Sequence, residues 1–124
     1  MFHENNIYKK GNTLMNAKQY ITNLFKQIFT KELLNRLKIL IKNSHLEVTA
    51  NIHSLRKNDA KLFLNNLINC SRIAFTLIVI HGYHHGHVLK DMLANDFDNP
   101  HVAEKHCLTD NPGRTRMTIC AYGT

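Results

Sequence analysis

The sequence has no apolar run long enough to span a membrane. Its longest near-continuous apolar stretch, residues 73–80, is far shorter than the roughly 18 to 20 residues that a transmembrane helix needs. The amino terminus contains Glu4 and several asparagines, so it lacks the basic and then apolar layout of a signal peptide. At 124 residues the chain has the length of about one domain. We therefore expect a cytoplasmic protein with a single core and no stable membrane insertion.

Several signatures of metal and nucleophile chemistry are also missing. The three cysteines are an odd number without a C-x-x-C pair, which argues against a disulfide framework and a cysteine zinc site. No serine lies in a nucleophile-elbow pattern, and no spacing requires two carboxylates to meet. Four histidines between positions 81 and 87 are residues of the type that binds zinc. However, zinc ligands converge on one point, whereas adjacent histidines in a turn point in different directions. We expect neither a bound metal nor a cofactor.

Positive charge is concentrated in the first third of the chain. Eight basic and two acidic residues precede His45, which gives +6, whereas eight basic and seven acidic residues follow from His45 onward, which gives +1. A basic arm beside a nearly neutral domain favours attraction to phosphates or to anionic surfaces. Composition alone does not choose between these two partners.

Apolar residues in the same third recur at helical spacing. The stripe runs from Leu14 to Ile41 and predicts one long amphipathic helix, or two helices with Thr30 capping the second, ending near residues 43–44. Most such helices pack against their own domain. The lysines and phenylalanines would also suit self-association into a homodimer, a membrane surface or nucleic acid, and the pattern leaves these readings open.

The hydrophobic period changes from helical to alternating at Leu46. Residues 46–53 predict a half-polar strand, Asn58 is the expected cap of a following helix, and residues 75–80 predict a strand buried on both faces. A strand, a helix and a second strand of this length predict a right-handed parallel crossover.

A second helix and two more strands complete the predicted domain. The helix follows Gly86, and residues 102–108 and 115–122 predict two strands joined by a turn at residues 110–113. The predicted fold class is therefore α/β, a two-layer α+β sandwich with the order β-α-β-α-β-β.

Two histidines should meet at one end of this sheet. Parallel strands end on the same side, so His53 and His81 are expected to lie close together. Imidazole titrates near pH 6.5 and can serve as a cation against a phosphate or as a base. Gly82 and Gly86 would let a phosphate approach the backbone, where the start of a helix favours an anion. The alternative is that His81 only closes its strand by hydrogen bonding.

The order of elements together with these residues resembles the Smr (small MutS-related) domain family. The resemblance covers about residues 46–122. It rests on Asn51-Ile52-His53-Ser54, on Ile80-His81-Gly82 with Gly86 after it, and on Gly113 and Thr115 opening the last strand. The resemblance implies a compact sheet carrying two helices, nucleic-acid binding and, in some members, nicking or cleavage.

The family pattern assigns roles to individual residues and also shows departures. His53 matches the first-motif histidine, while His81, Gly82 and Gly86 match the second motif. Asn51 stands where the family has an acid, Ser54 stands at a glycine, and the middle glycine of the second motif is replaced within residues 83–85. An asparagine cannot accept a proton as a base.

Residues 1–44 are thus predicted to form a basic helical arm and residues 45–124 an Smr-like, nucleic-acid-binding domain. In a nuclease that nicks DNA or cleaves RNA, His53 or His81 would be the general acid or base, with Asn51 at the third catalytic position. The expected nucleic-acid contacts are Gly82, Gly86, Lys90, Arg56, Lys57, His84 and His85. The alternative function is that of a non-enzymatic interaction protein, which dimerises or docks to a ribosome or a membrane surface through the arm.

Overall fold

The structure, a computed structural model, describes residues 2–82, 87–108 and 110–121, with side chains from residue 13 onward. Helices α1, α2, α3 and α4 span Phe2–Ile28, Lys31–Leu34, Lys57–Asn69 and Val88–Asp91, and α4 continues as a π-helical turn over Met92–Asp96. Strands β1 to β5 span Leu37–Lys42, His45–Asn51, Phe75–Ile80, Val102–Cys107 and Arg114–Ile119.

The five strands form one mixed sheet in the order β1-β2-β3-β5-β4. Strands β2 and β3 are parallel neighbours, which confirms the predicted parallel pairing of the two strands that α3 connects. Strand β5 pairs antiparallel with both β3 and β4, so it lies between them. The observed architecture is a small α+β domain, compatible with the predicted α/β class.

One face of the sheet is covered and the other is open. Alternate strand residues point into the core, as the pattern in β2 illustrates: Leu46, Val48 and Ala50 are buried, while His45 and Asn51 at the two ends of the strand are exposed. The core side chains of α3 lie three and four residues apart along one stripe, as an amphipathic helix on a sheet requires.

Helix α1 contributes to the same core. Ile21, Phe25 and Phe29 are buried in one cluster with residues of the sheet and of α3. The ring of Phe29 lies 5.1 Å from that of Phe63 in α3 and 5.7 Å from that of Phe25, centroid to centroid. The carboxyl-terminal half of α1 therefore packs on its own domain, which was one of the readings that the sequence left open.

The prediction that residues 37–41 continue the helical stripe was wrong. These residues belong to β1, which pairs antiparallel with β2, so the sheet extends across the predicted boundary at residue 44. Asn43 and Ser44 form the connecting turn with φ angles of 53° and 62°, which suits a tight hairpin. Leu37, Ile39 and Ile41 also fit the alternating period of a strand, and pairing with β2 selects the strand over the helix.

The two predicted helix caps differ in outcome. Thr30 caps α2, because its side chain accepts a hydrogen bond from the backbone N–H of Leu33 at 3.3 Å. The prediction of Asn58 as the cap of α3 was wrong: Arg56 occupies the cap position, without a side-chain hydrogen bond, and the helix begins at Lys57. Within the described residues, no helix combines the length and the apolar character needed to cross a membrane.

Candidate functional site

The carboxyl ends of β2 and β3 lie side by side. Asn51 is paired with Ile80 in the parallel register, and His53 and His81 follow these two residues. Both histidines line one cleft of about 410 Å³, whose other lining residues are Ser54, Leu55, Arg56, Lys57, Val88 and Leu89. The prediction that the two histidines share one end of the sheet is therefore confirmed.

His81 is buried, with 4% of its surface exposed, and both of its ring nitrogens are hydrogen-bonded. Its Nδ1 lies 2.8 Å from the carbonyl oxygen of Gly82, which can only accept, so Nδ1–H is the donor. Its Nε2 lies 2.9 Å from the hydroxyl oxygen of Thr115, which donates to it when the ring is neutral. The ring of His81 therefore joins β3 to β5.

Burial lowers the pKa of His81 below its ordinary value of 6.5, because desolvation disfavours the imidazolium. The hydrogen bond to the Gly82 carbonyl acts in the opposite direction, and the nearby charge of Lys90 lowers the pKa further. A neutral ring agrees with the hydrogen-bond pattern. In this arrangement His81 has no free nitrogen for a substrate, and it fits the structural alternative noted from the sequence.

Gly82 supports the ring of His53. Its φ of +74° lies in the left-handed region, which favours glycine. A Cβ at this position would lie 2.8 Å from Cδ2 and 3.3 Å from Nε2 of the His53 ring. The backbone N–H groups of His81 and Gly82 both donate to the carbonyl oxygen of Gly113, at 2.9 and 3.0 Å. The amide of Gly82 is therefore occupied and does not point to a ligand.

His53 is exposed, unlike His81. Its Nδ1 is 3.1 Å from the hydroxyl oxygen of Ser54, and no described residue bonds to its Nε2. The side-chain oxygen of Asn51 accepts a hydrogen bond from the backbone N–H of His53 at 2.9 Å, and in the described part of the chain the hydrogen bond to the ring comes from Ser54. Asn51 thus shapes the turn after β2, and His53 keeps one ring nitrogen available in the cleft.

Arg36 also belongs to this site, although the sequence places it in the predicted arm. Its Nη1 donates to the carbonyl oxygens of Asn51 and His53, at 3.1 and 2.8 Å. The carbonyl of Arg36 accepts from the backbone N–H of Asn51 at 2.8 Å. Arg36 therefore fixes the turn that carries His53. Only the pairing of β1 with β2 brings it there.

The three predicted cations near the cleft have different surroundings. Arg56 is exposed and has no ion-pair partner among the described residues, and Lys90 is half-buried and close enough to affect His81. Lys57 pairs with Asp96 at 2.7 Å, and this hydrogen bond lowers the pKa of the Asp96 carboxyl. Lys57 therefore joins α3 to the π-helical turn and is less available to a ligand than Arg56.

Three predicted contacts, His84, His85 and Gly86, lie outside the described residues. Among the residues that are described, no group of three histidine, cysteine, aspartate or glutamate side chains converges in a way that could hold a metal ion. The described part of the cleft therefore combines the accessible imidazole of His53 with the cation of Arg56, beside the apolar side chains of Leu55, Val88 and Leu89.

Comparisons with protein-family models, with curated proteins and with solved structures found no match to this chain. The resemblance to the Smr family stays a prediction. The cleft itself is the basis on which a function can be inferred.

Proposed function

We propose that the chain is an Smr-like nucleic-acid-binding module that holds phosphate groups in the cleft at the carboxyl ends of β2 and β3. The observation that carries the proposal is the exposed ring of His53, which rests on Gly82 and has Nε2 free among the described residues. Arg56 lines the same cleft without an ion-pair partner in the described part of the chain, and Lys90, which is close enough to His81 to lower its pKa, adds a second positive charge beside the cleft. A phosphate can accept hydrogen bonds from all three side chains.

The same geometry supports binding more strongly than hydrolysis. His53 is the better candidate for a general acid or base, because both nitrogens of His81 are engaged inside the fold. However, no described carboxylate contacts the His53 ring to orient it or to balance its charge, and Ser54 is its partner instead. We therefore place nuclease activity second, with His53 as the residue on which it would depend.

The test of binding is the salt dependence of affinity for labelled duplex DNA and structured RNA, measured by fluorescence anisotropy with the full chain. Removing one cation that neutralises a phosphate lowers the slope of log K against log salt by about 0.9 on duplex DNA. The double variant R56A/K90A should therefore reduce the slope by about 1.8 and weaken binding at low salt.

A matched control separates a local effect from a change in net charge. The variant K42A/R72A also loses one lysine and one arginine, but both residues lie away from the cleft, at the opposite end of the sheet. Its slope should stay close to that of the wild type. Equal slopes for the two double variants, or wild-type binding that does not respond to salt, would contradict the proposal.

Cleavage is tested separately with supercoiled plasmid and structured RNA, with and without chelator. If the protein cleaves, His53→Ala should abolish cleavage and leave most of the affinity, since the cations remain. Cleavage that persists in this variant would remove His53 from any catalytic role. A protein that binds and does not cleave would be a binding module.

A further inference from the structure

The open face of the sheet is a second surface on which charge is unevenly distributed. Its outward-facing positions follow from the alternation of the strands: 38, 40 and 42 in β1; 45, 47, 49 and 51 in β2; 76, 78 and 80 in β3; 114, 116 and 118 in β5; and 104 and 106 in β4. These positions hold four lysines and arginines and two glutamates. The arrangement of these charges is more informative than their number.

The strand register groups the outward-facing residues into rows. One row crosses all five strands as Lys38, Thr49, Ile78, Arg116 and His106. The next row towards the cleft is Asn51, Ile80 and Arg114. We call these two rows the acid-free band, because neither contains a carboxylate.

Both glutamates of the face lie in the adjoining row, farther from the cleft. That row is Leu40, Glu47, Thr76, Thr118 and Glu104. Glu104 also pairs with His106 at 3.2 Å. The positive character of the open face is therefore concentrated in the half that adjoins the cleft.

Neither the acid-free band nor any other outward-facing position of the five strands carries a phenylalanine, tyrosine or tryptophan, and the imidazole of the band, His106, is paired with Glu104. Proteins that bind single-stranded nucleic acid on a sheet usually stack bases on aromatic rings. Lysine and arginine without such rings are suited to phosphates and to the shape of a duplex. The composition of the band therefore favours double-stranded nucleic acid over a single strand.

We infer that the acid-free band is a second contact surface for the phosphate backbone of double-stranded nucleic acid, continuous with the cleft. The inference rests on the proposed function and extends it, because it names the form of nucleic acid and the path that it takes. Asn51 belongs to the band, and the turn that it shapes carries His53 into the cleft. A duplex held at His53 and Arg56 would thus continue over Ile80 and Ile78.

The spacing of the cations is compatible with this path. Lys38 in β1 and Arg116 in β5 are three strand spacings apart, or about 14 Å between their backbones. This distance is similar to the major-groove width of B-DNA, about 12 Å. The two side chains would therefore contact phosphates on opposite sides of a groove. Such contacts do not read sequence.

The test compares a charge inserted at two threonines of the open face. Thr49 lies in the acid-free band and Thr118 lies in the row of the glutamates. Thr49→Glu and Thr118→Glu change the net charge equally, so they are matched controls for each other. We expect Thr49→Glu to weaken binding of a 20-base-pair duplex at least fivefold and Thr118→Glu to weaken it less than twofold. Urea unfolding of both variants checks that the fold is retained.

A second test removes two positive charges from the band instead of adding a negative charge to it. K38A/R116A should lower the salt slope by about 1.8 on duplex DNA, because two phosphates are no longer neutralised, whereas K42A/R72A should not. The wild type should also bind duplex DNA or duplex RNA more tightly than a single strand of the same length. The DNA and RNA duplexes are measured in parallel to tell the two sources of phosphate apart.

The outcomes distinguish the two proposals. If R56A/K90A weakens binding while Thr49→Glu and K38A/R116A behave like their controls, the cleft binds alone and the inference about the band is wrong. Tighter binding of the single strand overturns it as well. If the wild type binds none of these nucleic acids, the proposed function itself fails.

Discussion

The carboxyl ends of the two parallel strands, β2 and β3, each lead to a histidine, but the two histidines lie in opposite environments. After β2, His53 is exposed, rests on a glycine and has one ring nitrogen without a described partner. After β3, His81 is 4% exposed and bonded through both ring nitrogens. The two residues line one cleft, yet only His53 can offer its ring to a ligand without disturbing the fold.

The difference shows that residue type and position at a strand end do not define a functional histidine. A histidine is available to a ligand only when its ring nitrogens are not already engaged in hydrogen bonds within the fold. β5 lies beside β3, and Gly113 and Thr115 at its start bond to the backbone and ring of His81. The end of β2 has β1 as its other neighbour, and Arg36 next to β1 bonds only to backbone carbonyls there. The ring of His53 remains accessible as a result.

The largest expected effect on stability is that of replacing His81. His81→Ala removes a buried side chain and leaves the Thr115 hydroxyl and the Gly82 carbonyl without partners, so we expect a loss of about 2–4 kcal/mol in the free energy of unfolding. His53→Ala should change it by less than about 0.5 kcal/mol, as is usual for an exposed side chain. Urea denaturation of both variants measures the two losses in unfolding free energy. Equal losses would contradict the difference between a structural His81 and an exposed His53.

The pH dependence of stability provides a control. Because the folded protein holds the pKa of His81 below the unfolded value of 6.5, the unfolded state takes up its proton first as the pH falls. The contribution of His81 is therefore complete above pH 6.5 and is lost as the pH falls from 6.5 through the lower folded pKa. The wild type should lose more stability than His81→Gln between about pH 7.5 and pH 5, and parallel curves would argue against a neutral buried ring.

Gly82→Ala should have the next largest effect, about 2 kcal/mol of destabilisation. The methyl group would occupy the space of the His53 ring, and φ of +74° is unfavourable for alanine. The double variant G82A/H53A removes the clash with the ring and keeps the backbone strain. Its unfolding free energy should exceed that of Gly82→Ala. If the double variant loses as much unfolding free energy as the two single variants together, the ring does not rest on Gly82.

Arg36→Ala should cost about 1–2 kcal/mol, because the carbonyls of Asn51 and His53 lose a charged donor. Arg36→Lys retains the charge but not the planar fork, so it should restore only part of the stability. Amide hydrogen exchange at His53 reports directly on the turn and should accelerate in the alanine variant. Unchanged exchange would show that Arg36 does not fix this turn.

Asn51→Asp should have the smallest effect, within about 0.5 kcal/mol, because a carboxylate can accept the same hydrogen bond from the His53 backbone. Since the side chain of Asn51 is bonded to the backbone N–H of His53 and not to a ring nitrogen, we expect no gain in plasmid nicking or RNA cleavage relative to the wild type. A clear gain would indicate that the acid of the Smr pattern acts on His53 through a rearranged turn.

The sequence predicted the central elements of the fold because their signals are local. Alternation from Leu46, the apolar run at residues 75–80 and the turn at residues 110–113 each identify an element from its own residues. The short connection through α3 then implied parallel pairing, and parallel pairing implied that His53 and His81 lie at one end of the sheet. The chain alone therefore located the candidate site.

The tertiary structure decided what each residue of that site does. The apolar pattern of residues 37–41 fits either a helix or a strand, and only pairing with β2 selects β1 and brings Arg36 to Asn51 and His53. In the same way, only β5 beside β3 buries His81 and occupies its nitrogens. Local periodicity specifies elements, but burial and hydrogen-bond partners come from residues distant in sequence, and these determine which histidine remains available.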